Sequence, residues 1–169
     1  MCINLKKLRH VNVFQFKGYC LRPSIIGFEY CCVKLNIVDD VNNLSQLIAV
    51  LNSDNTFELN ERLNYIFQVL NGLAYLHQEN IHCDLKPCNM LVKGKSEKDL
   101  VIKIADFDEL LRLKQTFTSS CTTYSNFRGM PLSYTAPELC LCIVQRPSKE
   151  SNIYSFGVSA FEILSDASA

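Results

Sequence analysis

An α+β fold, with short antiparallel strands and long helices in separate stretches of chain, follows from three features of this 169-residue sequence. Two short apolar runs, Met90–Val92 and Leu100–Ala105, flank a polar, Gly-containing connector, and the alternation within Val101–Ala105 completes the pattern of a β-hairpin. Glu58–Gln78 carries Leu59, Leu63, Ile66, Leu70, Leu73 and His77 at i, i+4, i+7, i+11, i+14 and i+18, one continuous face of a long helix. Ile153–Leu164 reads as a second apolar helix, interrupted by Ser155, Ser159 and Glu162.

The remaining elements fall into place from the start of the chain. Met1–Arg9 sets Ile3, Leu5 and Leu8 in loose helical spacing. Val13–Gly18 and Ile25–Val33 read as two strands, with Leu21-Arg22-Pro23-Ser24 as the turn between them. Asp39–Leu51 is a weakly amphipathic helix followed by the polar loop Asn52–Thr56. Glu58 and Glu61 favour the start of the long helix through its dipole, whereas Gly72 inside it costs about 1 kcal/mol against Ala and implies a close packing neighbour. Leu111–Phe127 is rich in Ser and Thr and has little periodicity, so it reads as a loop.

Composition removes several classes of function. Lys plus Arg and Asp plus Glu number 17 each, so no net field favours nucleic acid or an acidic membrane surface. Nine Cys, with no C-x-x-C pair, and only three His do not form a zinc pattern; Cys31-Cys32 and Cys140/Cys142 lack its spacing. Free thiols in a reducing cytosol, rather than disulfides, are the expectation, and the location expected is cytoplasmic. Met1–His10 has no signal-peptide apolar region, and Ile153–Leu164 is too short to span a bilayer, so no membrane segment is expected.

An antiparallel hairpin brings its outer ends together. Asp84, Lys86 and Asn89 precede its first strand and Asp106 follows its second, so four polar side chains converge on one spot. Asp84 and Asn89 have the D-x-x-x-x-N spacing of a phosphoryl-transfer loop, and Asp106-Phe107-Asp108 stands where a metal-binding D-F-G stands. His82-Cys83-Asp84-Leu85-Lys86-Pro87-Cys88-Asn89 matches H-R-D-L-K-P-x-N at every fixed place except the Arg. Ala136-Pro137-Glu138 supplies A-P-E, and Tyr154-Ser155-Phe156-Gly157-Val158 resembles the start of the helix that follows it. In this order and spacing the chain resembles the catalytic core of a eukaryotic protein kinase.

The resemblance implies a protein-kinase-like fold, mostly the helical C-lobe with a remnant of the N-lobe: residues 1–33 as N-lobe remnant and hinge, 34–169 as a truncated C-lobe. It implies ATP-dependent phosphoryl transfer to Ser or Thr of a protein substrate, with Mg2+ as cofactor. Asp84 would be the catalytic base and Lys86 would reach the γ-phosphate. Asn89 and Asp106 would hold Mg2+, Phe28 would be the gatekeeper, the backbone of Glu29–Cys31 would meet adenine, and Leu91 would floor it. Leu5, Phe16, His82 and Phe107 resemble the stacked spine between the lobes, and Thr116 to Ser125 the activation loop. Lys86-Pro87 resembles the Ser/Thr class, with a flavour of its tyrosine-kinase-like branch.

Departures bear on how well such a site would work. Cys83 replaces the Arg that grips an activation-loop phosphate, Asp108 replaces the D-F-G Gly, and Asn152 replaces the Asp that anchors the catalytic loop. No G-x-G-x-x-G and no V-A-I-K occur, and in the kinase register the αC Glu falls at Met1. Weak transfer is therefore the expectation for these 169 residues alone. A pseudokinase-like interaction module without catalysis is the alternative.

Overall fold

A computed structural model of the chain describes residues 6–35, 40–54, 58–79, 84–96, 99–106, 132–141 and 147–165. Two antiparallel hairpins and two long helices make up most of it. In the first hairpin β1 (Phe16–Leu21) pairs with β2 (Ser24–Phe28), Phe16 opposite Phe28 and Leu21 opposite Ser24. Arg22-Pro23 makes the turn, as expected, but the strands are displaced from Val13–Gly18 and Ile25–Val33 because tight pairing starts directly at that turn. Lys6 to Arg9 form turn and coil, not helix, and residues 1–5 of that expected helix lie outside the described residues.

The helix expected over Asp39–Leu51 begins later, as α1 (Leu44–Asp54). The residues before it are extended: Val41 exchanges backbone hydrogen bonds with Val33, and Asn43 bridges to Leu91. Asn43 then caps the helix, its side-chain oxygen accepting from the Gln46 amide at 3.0 Å. α2 (Leu59–Glu79) lies where the periodicity puts it, but the face it buries is different. Tyr65, Val69, Leu73 and Leu76 are buried, whereas Leu59 is 62% exposed and Leu63 and Leu70 also reach solvent. The helix is apolar round much of its circumference, so a 3.6-residue repeat fits two stripes equally well. Gly72 decides between them, bringing the Tyr65–Val69–Leu76 side against Asn12 and Ile104.

The second hairpin is the centre of the fold. β3 (Met90–Lys93) pairs with β4 (Val101–Ile104), Met90 opposite Ile104 and Leu91 opposite Lys103. Its edges are occupied. Asn12–Phe14 runs parallel to β4, with the Ile104 amide donating to Asn12 O and the Phe14 amide to Ile104 O, both at 2.9 Å. On the β3 side the Val92 amide donates to Asn42 O at 2.9 Å. The one gap on β4 is closed by side chains. Gln68 of α2 accepts from the Ile102 amide at 2.8 Å, and the Asn12 amide nitrogen donates to Ile102 O at 2.9 Å.

Alternation then gives the hairpin two different faces. Met90, Val92, Ile102 and Ile104 are fully buried against α2 and α1, in one core with Leu44, Leu47, Leu73 and Leu76. The opposite face carries Leu91, Lys93 and Lys103. After the short helix α3 (Pro137–Cys140), α4 (Lys149–Leu164) packs on α2. It starts four residues before the expected Ile153, because Ser148 and Ser151 form a capping box. No helix among the described residues is long and apolar enough to cross a membrane.

Candidate active site

The loop before β3 owes its shape to two buried apolar residues, Leu85 and Pro87. Backbone around Lys86 is extended (φ −159°, ψ 157°), so Leu85 points into the core while its neighbours Asp84 and Lys86 point away. Those two side chains meet: Lys86 Nζ donates to Asp84 Oδ2 at 2.6 Å. A turn over Pro87–Asn89, closed by the Asn89 amide donating to Lys86 O at 2.9 Å, returns Asn89 to the same group. Asn89 Nδ2 donates both to the Asp84 carbonyl and to Asp84 Oδ2, each at 2.9 Å. Three of the four expected polar residues thus form one hydrogen-bonded unit.

The fourth is brought alongside by the hairpin. The Ala105 amide donates to Asn89 O at 2.8 Å, tying the end of β4 to the start of β3. Asp106 follows, exposed and in the left-handed region with φ 63°. Such a conformation is costly for a residue with a Cβ, and Asp is among the few types that adopt it. Cys88, on the same turn, has its thiol pushed up by burial, with the Asp84 and Asp106 charges adding to the shift and Lys86 opposing it.

Phe28, Glu29 and Cys31, expected around adenine, lie at the end of β2 and just beyond it. Phe28 stacks on Phe14, ring centroids 5.0 Å apart, and meets the buried Phe16 edge-on at 5.9 Å. Glu29 holds its place through the backbone, its amide donating to Gln15 O at 3.0 Å, and through a side chain that two lysines reach. Burial acts to raise the Glu29 carboxyl. The bonds from Lys93, Lys103 and the Gln15 amide outweigh it and hold the group below its usual value. Cys31 is buried, and that burial, helped by the Glu29 charge, pushes its thiol up to about 11. Leu91 is half-buried on the hairpin face that carries Lys93 and Lys103.

Asn152 of α4 is buried, its amide nitrogen 3.3 Å from His77 Nε2 at the end of α2. All five described cysteines, Cys20, Cys31, Cys32, Cys88 and Cys140, are free thiols. Leu5, His82, Cys83, Phe107, Asp108 and the Thr116–Ser125 loop lie outside the described residues. Sequence reasoning missed Lys103, the carboxylate of Glu29 and the pairing of Tyr134 with Glu162. A charged residue amid an apolar run, as in Val-Ile-Lys-Ile-Ala and Ala-Phe-Glu-Ile-Leu, was the available signal for two of them.

Comparison with known proteins identifies the family of the chain. The sequence pattern of the protein kinase domain matches residues 2–168. Over 168 residues the chain is 32% identical to the mitogen-activated protein kinase kinase kinase dlk-1 of Caenorhabditis elegans, covering 95% of this chain and 15% of that protein. It is 35% identical to the serine/threonine-protein kinase CTR1 of Arabidopsis thaliana, covering 94% of this chain and 18% of that one. A Raf homolog serine/threonine-protein kinase of Caenorhabditis elegans is 31% identical, covering 95% and 19% respectively. The chain therefore spans less than a fifth of the length of each of these relatives.

Proposed function

Because the chain belongs to the protein kinase domain family, we propose that its site transfers the γ-phosphoryl group of ATP to a Ser or Thr hydroxyl of a protein. The observation that carries this reading is the Asp84–Lys86–Asn89 unit, tied through Ala105 to Asp106. In the transfer an oxygen–phosphorus bond forms from the acceptor hydroxyl, the bond to the β-phosphate oxygen breaks, and the hydroxyl proton passes to the Asp84 carboxylate. The bonds from Lys86 and Asn89 fix the direction of that carboxylate, and the Lys86 ammonium offsets charge on the phosphoryl oxygens. Positioning and electrostatics of this kind supply nearly all of catalysis in phosphoryl transfer.

Asn89 and Asp106 offer hard side-chain oxygens of the kind that suits Mg2+, and these two residues would hold the ion. When bound there, Mg2+ would offset the negative charge of the phosphates. At the other end, the backbone of Glu29–Cys31 would supply an acceptor and a donor to adenine, with Phe28 and Leu91 as its apolar neighbours. The Ser/Thr acceptor class rests on Lys86-Pro87 and on the relatives named above.

A second reading, a protein-binding module without transfer, is favoured by departures within the motifs themselves: Cys83, Asp108 and Asn152 stand where the kinase pattern has Arg, Gly and Asp. Incubation of the full chain with Mg-ATP labelled at the γ-phosphate and a Ser/Thr-rich acceptor protein separates the two. Slow labelling abolished by Asp84→Ala is expected. Labelling that is indistinguishable between the wild type and Asp84→Ala, with ATP binding intact, would leave the binding module as the better account.

A further inference from the structure

The face of the β3–β4 hairpin that carries Leu91 presents two cations, Lys103 directly across from Leu91 and Lys93 two residues along the same strand. Their acid comes from elsewhere in the chain. Lys93 Nζ lies 2.8 Å from Glu29 Oε2 and Lys103 Nζ 3.0 Å from Glu29 Oε1. The Gln15 amide adds a 2.9 Å bond to Oε1, and Lys103 also donates to Val11 O at 2.8 Å. The Glu29 and Lys103 side chains are only 6% and 10% exposed. Buried ion pairs of this sort are weak contributors to stability, since apolar replacements are often as stable; what they do supply is a fixed geometry.

That geometry joins the two ends of the proposed nucleotide site. Glu29 belongs to the stretch whose carbonyl and amide would meet adenine, while the lysines belong to the hairpin whose base holds Asn89 and leads into Asp106. We propose that the Glu29 carboxylate is a positioning residue for the nucleotide: by gripping Lys93 and Lys103 it sets the separation between the adenine contacts and the phosphate contacts. This inference rests on reading the site as a nucleotide site. It assigns Glu29 a task in ligand binding that its side chain performs without touching the ligand.

The test is calorimetric binding of three probes to the full chain at constant Mg2+: ATP, adenosine and inorganic tripolyphosphate. Glu29→Gln keeps shape and removes charge. It should weaken ATP, which spans both ends, about tenfold, the scale of one charge-assisted bond, and leave adenosine and tripolyphosphate, which each meet one end, unchanged. Lys93→Met, at a half-exposed position that tolerates substitution, should show the same pattern at about two- to threefold. ATP bound as tightly by Glu29→Gln as by the wild type overturns the proposal, as does weakening of adenosine or tripolyphosphate by as much as ATP. Should Glu29→Gln fail to fold, Lys93→Met decides by the same criteria. If the wild-type chain binds none of the probes, the nucleotide reading fails and this inference with it. ATP binding that is indifferent to Glu29 ends this inference alone.

Discussion

The Tyr134 hydroxyl donates to Glu162 Oε1 at 2.6 Å, joining the turn Leu132–Tyr134, just before Ala136-Pro137-Glu138, to the buried side of α4. The same turn is gripped a second time, Ser155 Oγ donating to the Tyr134 carbonyl at 2.7 Å. Glu162 is 6% exposed, and a polar group so buried is costly unless hydrogen-bonded. Burial first, and then the Glu162 bond, push the Tyr134 hydroxyl pKa up, which keeps it a donor at any ordinary pH.

Tyr134→Phe removes the donor and leaves the acid buried. A hydrogen bond to a charged group contributes about 1.5–3 kcal/mol, so a loss near 2 kcal/mol in urea unfolding is expected. Adding Glu162→Gln should cost less in the Tyr134→Phe background than alone, because the Tyr134 bond is already gone. Strict additivity of the two changes would show that the pair is not coupled.

Gly72→Ala tests the close approach of α2 to the hairpin layer. In a free helix the change gains about 1 kcal/mol. Here the new Cβ would lie 2.6 Å from the Asn12 carbonyl oxygen and 3.1 Å from Ile104 Cδ1, and the first of these is backbone that also accepts from the Ile104 amide. Overpacking of this kind typically costs 1–3 kcal/mol, so a net loss of about 1 kcal/mol or more is expected in chemical denaturation. A gain would mean that the helix stands further off than the structure places it.

Much of the site is legible in the sequence because it is local. Asp84, Lys86 and Asn89 lie within six residues of one another, and the hairpin that delivers Asp106 announces itself by alternation and a Gly-containing connector. What stays hidden depends on contacts distant in sequence. Whether Leu59 or Tyr65 faces the core is undecidable from a helix apolar on several sides; the contact of Gly72 with Asn12, sixty residues away, settles it. Lys103 reads as the outward residue of a half-buried strand, yet it is buried because Glu29 and Val11 arrive from another part of the chain to satisfy it. Helix starts were missed where polar caps, Asn43 and Ser148, look like loop residues until their side-chain bonds are seen.

Asp106 offers a contrast between backbone and side chain. With φ at 63°, an ordinary Cβ is strained and glycine is not. Asp106→Gly and Asp106→Ala both remove the carboxylate, and both should abolish any Mg2+-dependent gain in ATP binding. They should differ in stability, Ala being lower by about 1 kcal/mol. Equal unfolding midpoints for the two variants would show that the left-handed conformation does not persist in solution.

His77 gives the chain a pH dependence whose sign follows from its surroundings. Burial, reinforced by Lys149 and opposed by Glu150, holds its pKa below the ordinary 6.5. The neighbour at Nε2 is the Asn152 amide nitrogen, which can only donate, so the bond requires an unprotonated Nε2. In the unfolded chain His77 takes a proton near pH 6.5, and in the folded chain only at lower pH. Between those values the unfolded state holds more protons, so stability rises with pH there. The contribution is complete above the unfolded value and is lost as pH falls through the folded one. His10, lowered by burial and by Lys103, adds in the same direction. His77→Gln keeps an oxygen to accept from Asn152 and does not titrate. Urea unfolding at about pH 7.5 and pH 5.5 should show the wild type losing stability on acidification and His77→Gln losing less, the remainder belonging largely to His10. An identical loss in the variant would mean that the Asn152 bond does not depend on the protonation state of His77.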